Sequence, residues 1–466
     1  MMHVDVAVIG SGPAGQKAAV QAAKAGNKVC LIEQDNLLGG ACVHRGTIPS
    51  KTLRENAVTI QHMHHNAKLF DQQFNHDIEM AVLLDHVDDV LKAHNDFMEK
   101  QINRNLIVRL HGKASFTTPW ELHVVRVKGK PMDVRARFII IATGSIPRQP
   151  DKIDVDHEHI FDSDSILSML YLPQSLTVLG GGVIASEYAS IFQAIGCKVT
   201  MIDRYPMPLG FLDQDLTQCF VEAFEHHGGT WIGEKKVEKV YWDGVANVVV
   251  ECEDGTKVES EKCLVAAGRI ANVSQLNLPA ADVELTDQQL VQVNEQLQTT
   301  QTHIFAAGDV IGPPALASTS MDQGRRATCN ALGIPNSAFS DLIPMGIYGI
   351  PELSSVGLSE QQARKQFGDV MIGKAPFAEI ARGQISGNLE GFVKLIADSK
   401  GERLLGVQVV GEGATELIHI GQMALIHQAH IDIFIENIFN FPTMAETYRV
   451  AALAIAGQRA AANDLY

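Results

Sequence analysis

The chain has 466 residues, of which 46% are hydrophobic and 20% are charged. This length exceeds what a single hydrophobic core normally serves, so we expect several globular domains. The formal net charge of −16 argues against a nucleic-acid backbone or an anionic membrane surface as a partner. The opening residues, MMHVDVAVIG, lack the basic segment of a secretory signal, and no apolar run approaches the ~20 residues that span a bilayer. We therefore expect a cytoplasmic protein with no membrane partner.

Seven cysteines are scattered along the chain without a CxxC pair. This distribution argues against a disulfide framework or a zinc site, and no other set of metal ligands has a recognisable spacing. We expect no bound metal.

The first predicted elements are a strand, a tight turn, a helix and a second strand. Residues 4–9 form a β-branched run, Gly10, Gly12 and Gly15 follow it, and the second strand ends at Glu33. This order is typical of a dinucleotide-binding βαβ unit, in which the glycines allow close backbone approach, the helix N-terminus faces the pyrophosphate and the acid accepts a ribose hydroxyl. Three glycines at this spacing are weak evidence on their own.

The same pattern occurs again 170 residues later, which makes chance a poor explanation. The positions Gly10, Gly12, Gly15, Gly26, Lys28 and Glu33 are matched by Gly180, Gly182, Ala185, Gly196, Lys198 and Asp203. Two dinucleotide sites in one chain indicate one tightly held redox dinucleotide and one exchangeable nicotinamide, because a hydride needs both a source and a destination.

Further along, three predicted strands end in a similar way, in IIIATG (139–144), LVAAGR (264–269) and IFAAGD (304–309). Each brings a glycine to the carboxyl end of a strand, where open α/β sheets bind ligands, although tight turns alone would also explain them. Between the two units, residues 71–105 have a helical pattern and residues 124–138 read as a β-hairpin.

From residue 344 the pattern changes to that of a separate α+β domain. Ser359 and Gln362 fit a capping box that opens a helix. Residues 394–411 read as a hairpin that turns at 399–401, and residues 414–429 as an apolar helix.

In the order and spacing of these motifs, the whole chain resembles the pyridine nucleotide-disulfide oxidoreductases, the family of dihydrolipoamide dehydrogenase and glutathione reductase. The likeness is strongest to the transhydrogenases of the family, through CVHRGTIPSK, FDSDSILSM, GFLDQD, GIYGIPELSSVG and FPTMAETYRVAAL. The resemblance implies an α/β fold with two Rossmann-like dinucleotide-binding domains, for FAD and NAD(P), and a C-terminal α+β dimerisation domain. The implied division is an FAD domain at 1–148, an NAD(P) domain at 149–270, a return to the FAD domain at 271–343, and the dimerisation domain at 344–466. A homodimer or higher homo-oligomer is expected.

Two groups that the family uses for thiol chemistry are replaced. Disulfide-reducing members carry C-x4-C, and here the first position is Cys42 and the second is Thr47. The family also places a catalytic histidine where this chain has Phe441, and phenylalanine cannot carry a proton. Both replacements affect thiol-disulfide exchange and leave the flavin and nicotinamide half of the reaction intact. We therefore expect Si-specific, reversible ping-pong hydride transfer from NADPH to NAD⁺ without a redox disulfide.

Three alternatives stay open at this point. An NAD(P)H:quinone reductase also needs no disulfide, and a disulfide reductase could form a mixed disulfide with Cys42 alone. A non-catalytic FAD-binding subunit is the third.

The resemblance also implies specific site residues. Lys51 would lie beside the flavin and pair with Glu187, and Cys42 would be either an activated thiol or an inert one. His44 and Arg45 would either favour a nicotinamide phosphate or be solvated. Asp203 would favour the free ribose hydroxyl of NAD and Arg204 the 2′-phosphate of NADP, and the alternative for Arg204 is a solvated loop charge.

The cofactor-binding positions implied for FAD, NAD and NADP fall in the two repeated units and the return segment. In the first unit and the return they are Gly10, Gly12, Pro13, Ala14, Gly15, Glu33, Gln34, Gly39, Gly40, Ala41, Cys42, Lys51, Ala114, Thr143, Gly144, Gly308, Asp309 and Ala317. In the second unit they are Gly180, Gly182, Val183, Ile184, Ala185, Glu187, Asp203, Arg204 and Gly268.

Overall fold

A computed structural model describes residues 1–66 and 79–463, which form a mixed α/β fold. The strands are β1 (Met2–Ile9), β2 (Val29–Glu33), β3 (Val108–Thr118), β4 (Glu121–Arg126), β5 (Met132–Ile141), β6 (Ser145–Pro147), β7 (Ile160–Asp162), β8 (Ser175–Leu179), β9 (Lys198–Ile202), β10 (Thr230–Ile232), β11 (Val237–Trp242), β12 (Val248–Cys252), β13 (Lys257–Ser260), β14 (Lys262–Val265), β15 (Arg269–Ala271), β16 (Ile304–Ala306), β17 (Met345–Ile347), β18 (Leu353–Gly357), β19 (Met371–Pro376), β20 (Phe392–Ala397) and β21 (Leu404–Val410). The helices are α1 (Pro13–Lys24), α2 (Gly40–His44), α3 (Thr47–His65), α4 (Met80–Arg104), α5 (Val183–Ala194), α6 (Gln214–His226), α7 (Ala317–Ala331), α8 (Glu360–Phe367), α9 (Ala381–Ser386), α10 (Ala414–Ile426), α11 (Ile433–Glu436) and α12 (Glu446–Asn463).

The first sheet is a five-stranded parallel sheet in the order β3-β2-β1-β5-β16. β4 pairs antiparallel with the far half of β3 and the near half of β5, which confirms the predicted hairpin. The strands β1 and β2 are nearly continuous apolar runs, as expected when helices cover both faces of a parallel sheet. On one face, α1 packs so tightly on α7 that a Cβ at Gly324 would lie 2.0 Å from the carbonyl oxygen of Ala14.

The second parallel sheet, β10-β9-β8-β14-β7, repeats the first unit. The helices α1 and α5 have the same length, and both their ends lie 170 positions apart. The repeat inferred from the glycines is therefore confirmed. A three-stranded antiparallel sheet, β11-β12-β13, adjoins this unit, and the antiparallel pair β6-β15 joins the chain where it enters and leaves it.

The C-terminal part is an antiparallel sheet in the order β17-β18-β21-β20-β19, covered by α10 and α12. Both hydrogen bonds of the predicted capping box between Ser359 and Gln362 are present, and the hairpin β20-β21 is confirmed. The apolar helix is shorter than predicted, because it ends at Ile426 and Gln428 takes a positive φ of 49°. The helix predicted at 71–105 is present as α4, and residues 71–78 lie outside the described residues.

None of the helices in the described residues is long and apolar enough to cross a bilayer.

A buried lysine joins the second unit to the C-terminal sheet. Lys394 is 1% exposed, and its Nζ lies 2.8 Å from Glu360, 3.0 Å from Asp215 and 3.1 Å from Asp213. Asp213 also accepts a hydrogen bond from the Gln408 amide at 2.8 Å. Burial opposes ionisation of Asp215 and Glu360, yet their contacts with Lys394 and neighbouring cations hold the pKa of both carboxyl groups below the ordinary value. The cluster holds the two parts of the chain together through satisfied buried charges.

We expect Lys394→Met to lower the free energy of unfolding by about 3–5 kcal/mol, because it leaves the buried Asp213 carboxylate and the partly buried Asp215 and Glu360 carboxylates without their shared cation. Since the folded-state pKa values of Asp215 and Glu360 are depressed, their stabilisation is present at neutral pH and is lost as the pH falls through those values. Urea unfolding between pH 3 and 7 should therefore show a weaker loss of stability in acid for the variant. Lys236→Met, which breaks a surface pair with Glu253, is the matched control and should change little. A Lys394→Met variant as stable as the unmodified chain would contradict this account.

Candidate functional site

The first glycine loop lies at the carboxyl end of β1, against the end of β5. Gly10 has a φ of 99°, and a Cβ there would lie 2.3 Å from the carbonyl oxygen of Ala142. A Cβ at Gly15 would lie 1.9 Å from the carbonyl oxygen of Gly10. These positions require glycine because the backbone takes the space of a side chain. The turn delivers the N-terminus of α1 to the sheet edge, with Pro13 and Ala14 in its first turn and Gly12 as a cap without a side chain.

Glu33 closes this loop at the end of β2. Its buried carboxylate accepts hydrogen bonds from the backbone N–H and the hydroxyl of Ser11, at 2.8 and 2.7 Å. The Ser11 hydroxyl oxygen in turn accepts the N–H of Gly39 at 3.0 Å. Gly40 packs against Gly12, since a Cβ on Gly40 would lie 3.1 Å from the Gly12 Cα. The structure thus brings three predicted segments together, at 10–15, 33 and 39–40.

The ends of β5 and β16 complete the edge of this sheet. The N–H of Ala307 donates to Ile141 on β5, and the Ser145 hydroxyl donates to Asp309 at 2.8 Å. The Thr143 hydroxyl is buried here and has no hydrogen-bond partner within the described residues. Buried polar groups normally have a partner, so this atom marks a place for a polar ligand. Together with the uncapped N-terminus of α1, it shows that the site fits a dinucleotide with a diphosphate.

The other positions expected in this site lie around the same edge. Gln34 follows β2 on the exposed side, and Gly144 has a φ of 68°. Ala114 is buried in β3, three residues beyond the His111 that pairs with Glu33. The remaining predicted residues lie at helix starts or in a turn: Ala41 and Cys42 in α2, Ala317 at the first position of α7, and Gly308 before Asp309.

The second glycine loop repeats this geometry at the carboxyl end of β8. Gly180 has a φ of 119°, and Gly182 caps α5 without a side chain. The next three predicted residues, Val183, Ile184 and Ala185, form the first turn of α5. Ala185 is accommodated because this turn is more open than the first, whose equivalent residue must be glycine. Gly268 lies at the neighbouring strand end with a φ of 93°.

Asp203 and Arg204 lie at the end of β9 and face different surroundings. The Asp203 carboxylate accepts the backbone N–H of Tyr205 at 3.1 Å, and one of its oxygens lies close to the second glycine loop at Gly181. Arg204 is exposed and lies over the Tyr205 ring, with 4.9 Å from its guanidinium carbon to the ring centroid. Its Nη2 donates to the Tyr205 hydroxyl at 3.0 Å. Arg204 therefore has no carboxylate in these contacts and presents its charge to the surface.

An ion pair connects the two units. The Nζ of Lys51, on α3, lies 2.6 Å from Oε2 of Glu187, on α5. Glu187 is 6% exposed and Lys51 25%, so the pair is largely removed from water. Oε1 of Glu187 accepts the backbone N–H of Tyr348 at 2.9 Å. The pairing predicted between Lys51 and Glu187 is present. A third segment of the chain, at Tyr348, also contacts Glu187, and the sequence did not indicate this contact.

Cys42 lies in α2, close to the hydroxyl that replaces a second thiol. All seven cysteines are in the described residues and none forms a disulfide; Cys30 is buried in β2. Burial raises the pKa of the Cys42 thiol and the charge of Asp309 adds to this, against a hydrogen bond from Thr47 and the charge of Lys51. The thiol is therefore protonated at neutral pH, which favours the inert interpretation of Cys42 over the activated one.

His44 and Arg45, the undecided residues of this loop, both have protein partners. A ring nitrogen of His44 lies 2.6 Å from the carbonyl oxygen of Leu38. Arg45 pairs with Asp35 at 2.9 Å and lies 3.9 Å from Asp164. Through these two contacts Arg45 links the loop to the segment that follows β7.

Sequence reasoning missed Arg269 and Tyr348. Arg269 donates to both the hydroxyl and the carbonyl oxygen of Ser145, and pairs with Asp164 at 2.7 Å, so it fixes the crossing between the units. The arginine in LVAAGR was a usable indication, because it occupies the place of Asp309 in IFAAGD. For Tyr348 no local pattern gave an indication. Phe441, in the position of the family's histidine, is 74% exposed.

Comparison with known proteins identifies this arrangement of two dinucleotide loops. A family model described as pyridine nucleotide-disulphide oxidoreductase matches residues 4–324, and the dimerisation domain of the same family matches residues 343–452. The chain belongs to the pyridine nucleotide-disulphide oxidoreductase family. This family implies FAD and a nicotinamide nucleotide as cofactors, and the chain is an oxidoreductase of the flavoenzyme type.

Relatives of this oxidoreductase span its whole length. A soluble pyridine nucleotide transhydrogenase from Mycobacterium tuberculosis is 38% identical over 100% of this chain and 99% of its own. One from Colwellia psychrerythraea is 39% identical over 96% and 97%. Among solved structures, the HOCl-induced flavoprotein disulfide reductase RclA from Escherichia coli has a TM-score of 0.87 and 27% identity, over 96% of this chain and 99% of that one.

We expect Cys42 to react with iodoacetamide more slowly than glutathione at pH 7, because its raised pKa leaves little thiolate. Peptide mass spectrometry over a time course measures the rate. Thr47→Val removes the hydrogen bond that lowers the pKa, so labelling should become slower still. Cys219 is also partly exposed, and burial raises its pKa to about 11, so it provides an internal control for a slow thiol. Faster labelling of Cys42 than of glutathione would show that the residue is an activated thiolate.

Proposed function

We propose that this oxidoreductase is a soluble-type transhydrogenase. It transfers hydride reversibly from NADPH to NAD⁺ by a ping-pong route through bound FAD, Si-specifically and without a redox disulfide. The full-length relatives named soluble pyridine nucleotide transhydrogenase support this proposal.

The observation that carries the proposal is the contact of Cys42 with Thr47. The group beside the Cys42 sulfur is a hydroxyl, and the thiol itself is kept protonated. A thiol relay needs a second sulfur within disulfide reach, and a hydroxyl cannot form that bond. Both glycine loops and the ion pair between the units are nevertheless present, so the groups that serve a flavin and a nicotinamide are retained.

The first site would hold FAD through the loop at 10–15, Glu33, the segment at 39–42, Thr143 with Gly144, and Asp309. Bound FAD supplies a two-electron carrier that accepts hydride from one nicotinamide and returns it to another. Lys51 holds a positive charge at the junction of the two sites, where it favours electron density on a reduced ring. Glu187 holds the Lys51 ammonium in place through its 2.6 Å contact. Cys42 would fill space in this site and take no part in the transfer.

The second site would hold either nicotinamide nucleotide. Asp203 serves a free ribose hydroxyl, as in NAD, and Arg204 meets the 2′-phosphate of NADP with an exposed guanidinium. Neither residue excludes the other's ligand, which suits an enzyme that uses both nucleotides.

The proposal includes the assembly and the domains. The match to the dimerisation domain supports a homodimer, and we propose a cytoplasmic location. The β6-β15 pair, at the entry and exit of the second unit, supports a division into segments 1–148, 149–270, 271–343 and 344–466.

The central test is anaerobic hydride exchange. One equivalent of NADPH should bleach the flavin absorbance of the purified protein, and added NAD⁺ should restore it while NADH forms. Mass spectrometry of NADP⁺ formed from Si-deuterated NADPH should show loss of the label. Cys42→Ser should retain both half-reactions, because no sulfur takes part. Bleached enzyme that is restored by menadione and not by NAD⁺ would replace this function with quinone reduction.

The second candidate is disulfide reduction, which the similarity to the flavoprotein disulfide reductase RclA favours. On this alternative, Cys42 forms a mixed disulfide with the substrate. Activity with dihydrolipoamide or a disulfide that disappears in Cys42→Ser, while exchange with NAD⁺ is absent from the unmodified enzyme, would establish it.

We expect Arg204→Ala to weaken NADP⁺ binding roughly ten- to hundredfold, the range for losing a hydrogen bond to a charged group, and to leave NAD⁺ binding nearly unchanged. Calorimetric titration of the oxidised enzyme with NADP⁺ and NAD⁺ measures both. Arg135→Ala, which removes an exposed arginine from the hairpin strand β5, is the matched control. Equal losses for the two nucleotides would remove Arg204 from recognition of the phosphate.

A further inference from the structure

Lys51 lies on α3 and Glu187 on α5, which are far apart in sequence. For the ion pair to persist, the Lys51 side chain must be kept from adopting rotamers that point into solvent. A lysine side chain has several rotatable bonds, and a single ion pair leaves much of that freedom. Other contacts of the ammonium within the described residues are weaker, as with the Ser50 hydroxyl at 3.3 Å. The orientation of Lys51 therefore depends on what else lies against it.

Tyr348 contacts both members of the pair. Its backbone N–H donates to Oε1 of Glu187 at 2.9 Å, and its ring centroid lies 5.0 Å from Nζ of Lys51. That distance is within the ~6 Å reach of a cation–π interaction. Burial raises the pKa of Tyr348, so the phenol stays neutral and offers the face of its ring.

The Tyr348 ring is itself held by a chain of contacts that returns to α3. Its hydroxyl lies next to the side chain of Thr415, and Thr415 donates both its N–H and its hydroxyl to Glu352. Glu352 pairs at 2.9 Å with Arg54, which is 2% exposed and lies three residues after Lys51 on the same helix. The C-terminal segment thus contacts one turn of α3 at two residues, Lys51 through Tyr348 and Arg54 through Glu352.

We propose that Tyr348 is the positioning residue of Lys51: its ring holds the ammonium and its backbone amide holds the Glu187 carboxylate, so that the cation stays at the junction of the two sites. This inference rests on the proposed function and adds a residue to it. Its consequence is that the C-terminal domain sets the electrostatics of the flavin site without contributing a charge to it.

The experiment uses Tyr348→Leu and Tyr348→Phe in the FAD-loaded enzyme. Tyr348→Leu should lower the flavin midpoint potential and slow flavin reduction by NADPH about 2- to 30-fold, the range that corresponds to loss of one cation–π contact. Tyr348→Phe should keep both values near those of the unmodified enzyme, because it retains the ring. Tyr241→Leu removes a similar lysine contact, 4.5 Å from Lys239, in the small antiparallel sheet and should change neither value.

A double-variant cycle separates positioning from general damage to the fold. With Lys51→Ala already present, Tyr348→Leu should have no further effect on the potential or the rate. Three results would each overturn the proposal. The first is that Tyr348→Leu lowers the midpoint potential and the reduction rate equally with Lys51 and with Lys51→Ala. The second is that Tyr348→Leu changes neither value, and the third is that Tyr348→Phe is as impaired as Tyr348→Leu. Failure of the unmodified enzyme to pass hydride to NAD⁺ would instead overturn the proposed function. The two failures are distinguishable because the midpoint potential of Tyr348→Leu is measured without any nicotinamide.

Discussion

The ion pair between Lys51 and Glu187 is the constraint on which the site depends. Each glycine loop is complete within its own sheet, but two dinucleotide sites exchange a hydride only when their edges face each other. Helix α3 comes from the first unit and α5 from the second, so a contact of 2.6 Å between them fixes the two edges together. The pair is largely removed from water, which makes it stronger and makes its geometry matter more than that of a surface salt bridge.

The C-terminal part secures this arrangement through two buried cations. Arg54 ties α3 to Glu352, and Lys394 on β20 ties the C-terminal part to the second unit through two of its carboxylates, Asp213 and Asp215. Such clusters add little net stability compared with apolar packing, but breaking one is costly because it strands a buried charge. They therefore fix where the parts meet. The C-terminal part, which matches the family's dimerisation domain, therefore also holds the two units in place through these contacts.

On the proposed function, the loss of thiol chemistry would leave the rest of the site unchanged, because the two halves of the family's reaction use separate groups. Thr47 occupies the position of the second cysteine of disulfide-reducing members, and its hydroxyl interacts with the Cys42 thiol. Phe441 leaves no proton carrier in the place of the family's histidine. On this proposal, direct exchange between nicotinamides would need only the flavin, the charge of Lys51 and access for each nucleotide.

The sequence by itself determined the two βαβ units, their spacing of 170, the C-terminal α+β part and the residues of each loop, since glycine positions and apolar periodicity encode local backbone geometry. The pairing of Lys51 with Glu187 came from the family resemblance, and the structure adds its distance and burial. Only the tertiary structure revealed Tyr348, the ion pairs of Arg45, the partnerless Thr143 hydroxyl and the earlier end of α10. The contacts of Tyr348 with Glu187 and of Arg45 with Asp164 join segments more than 100 residues apart, and no local pattern records which side chains packing brings together.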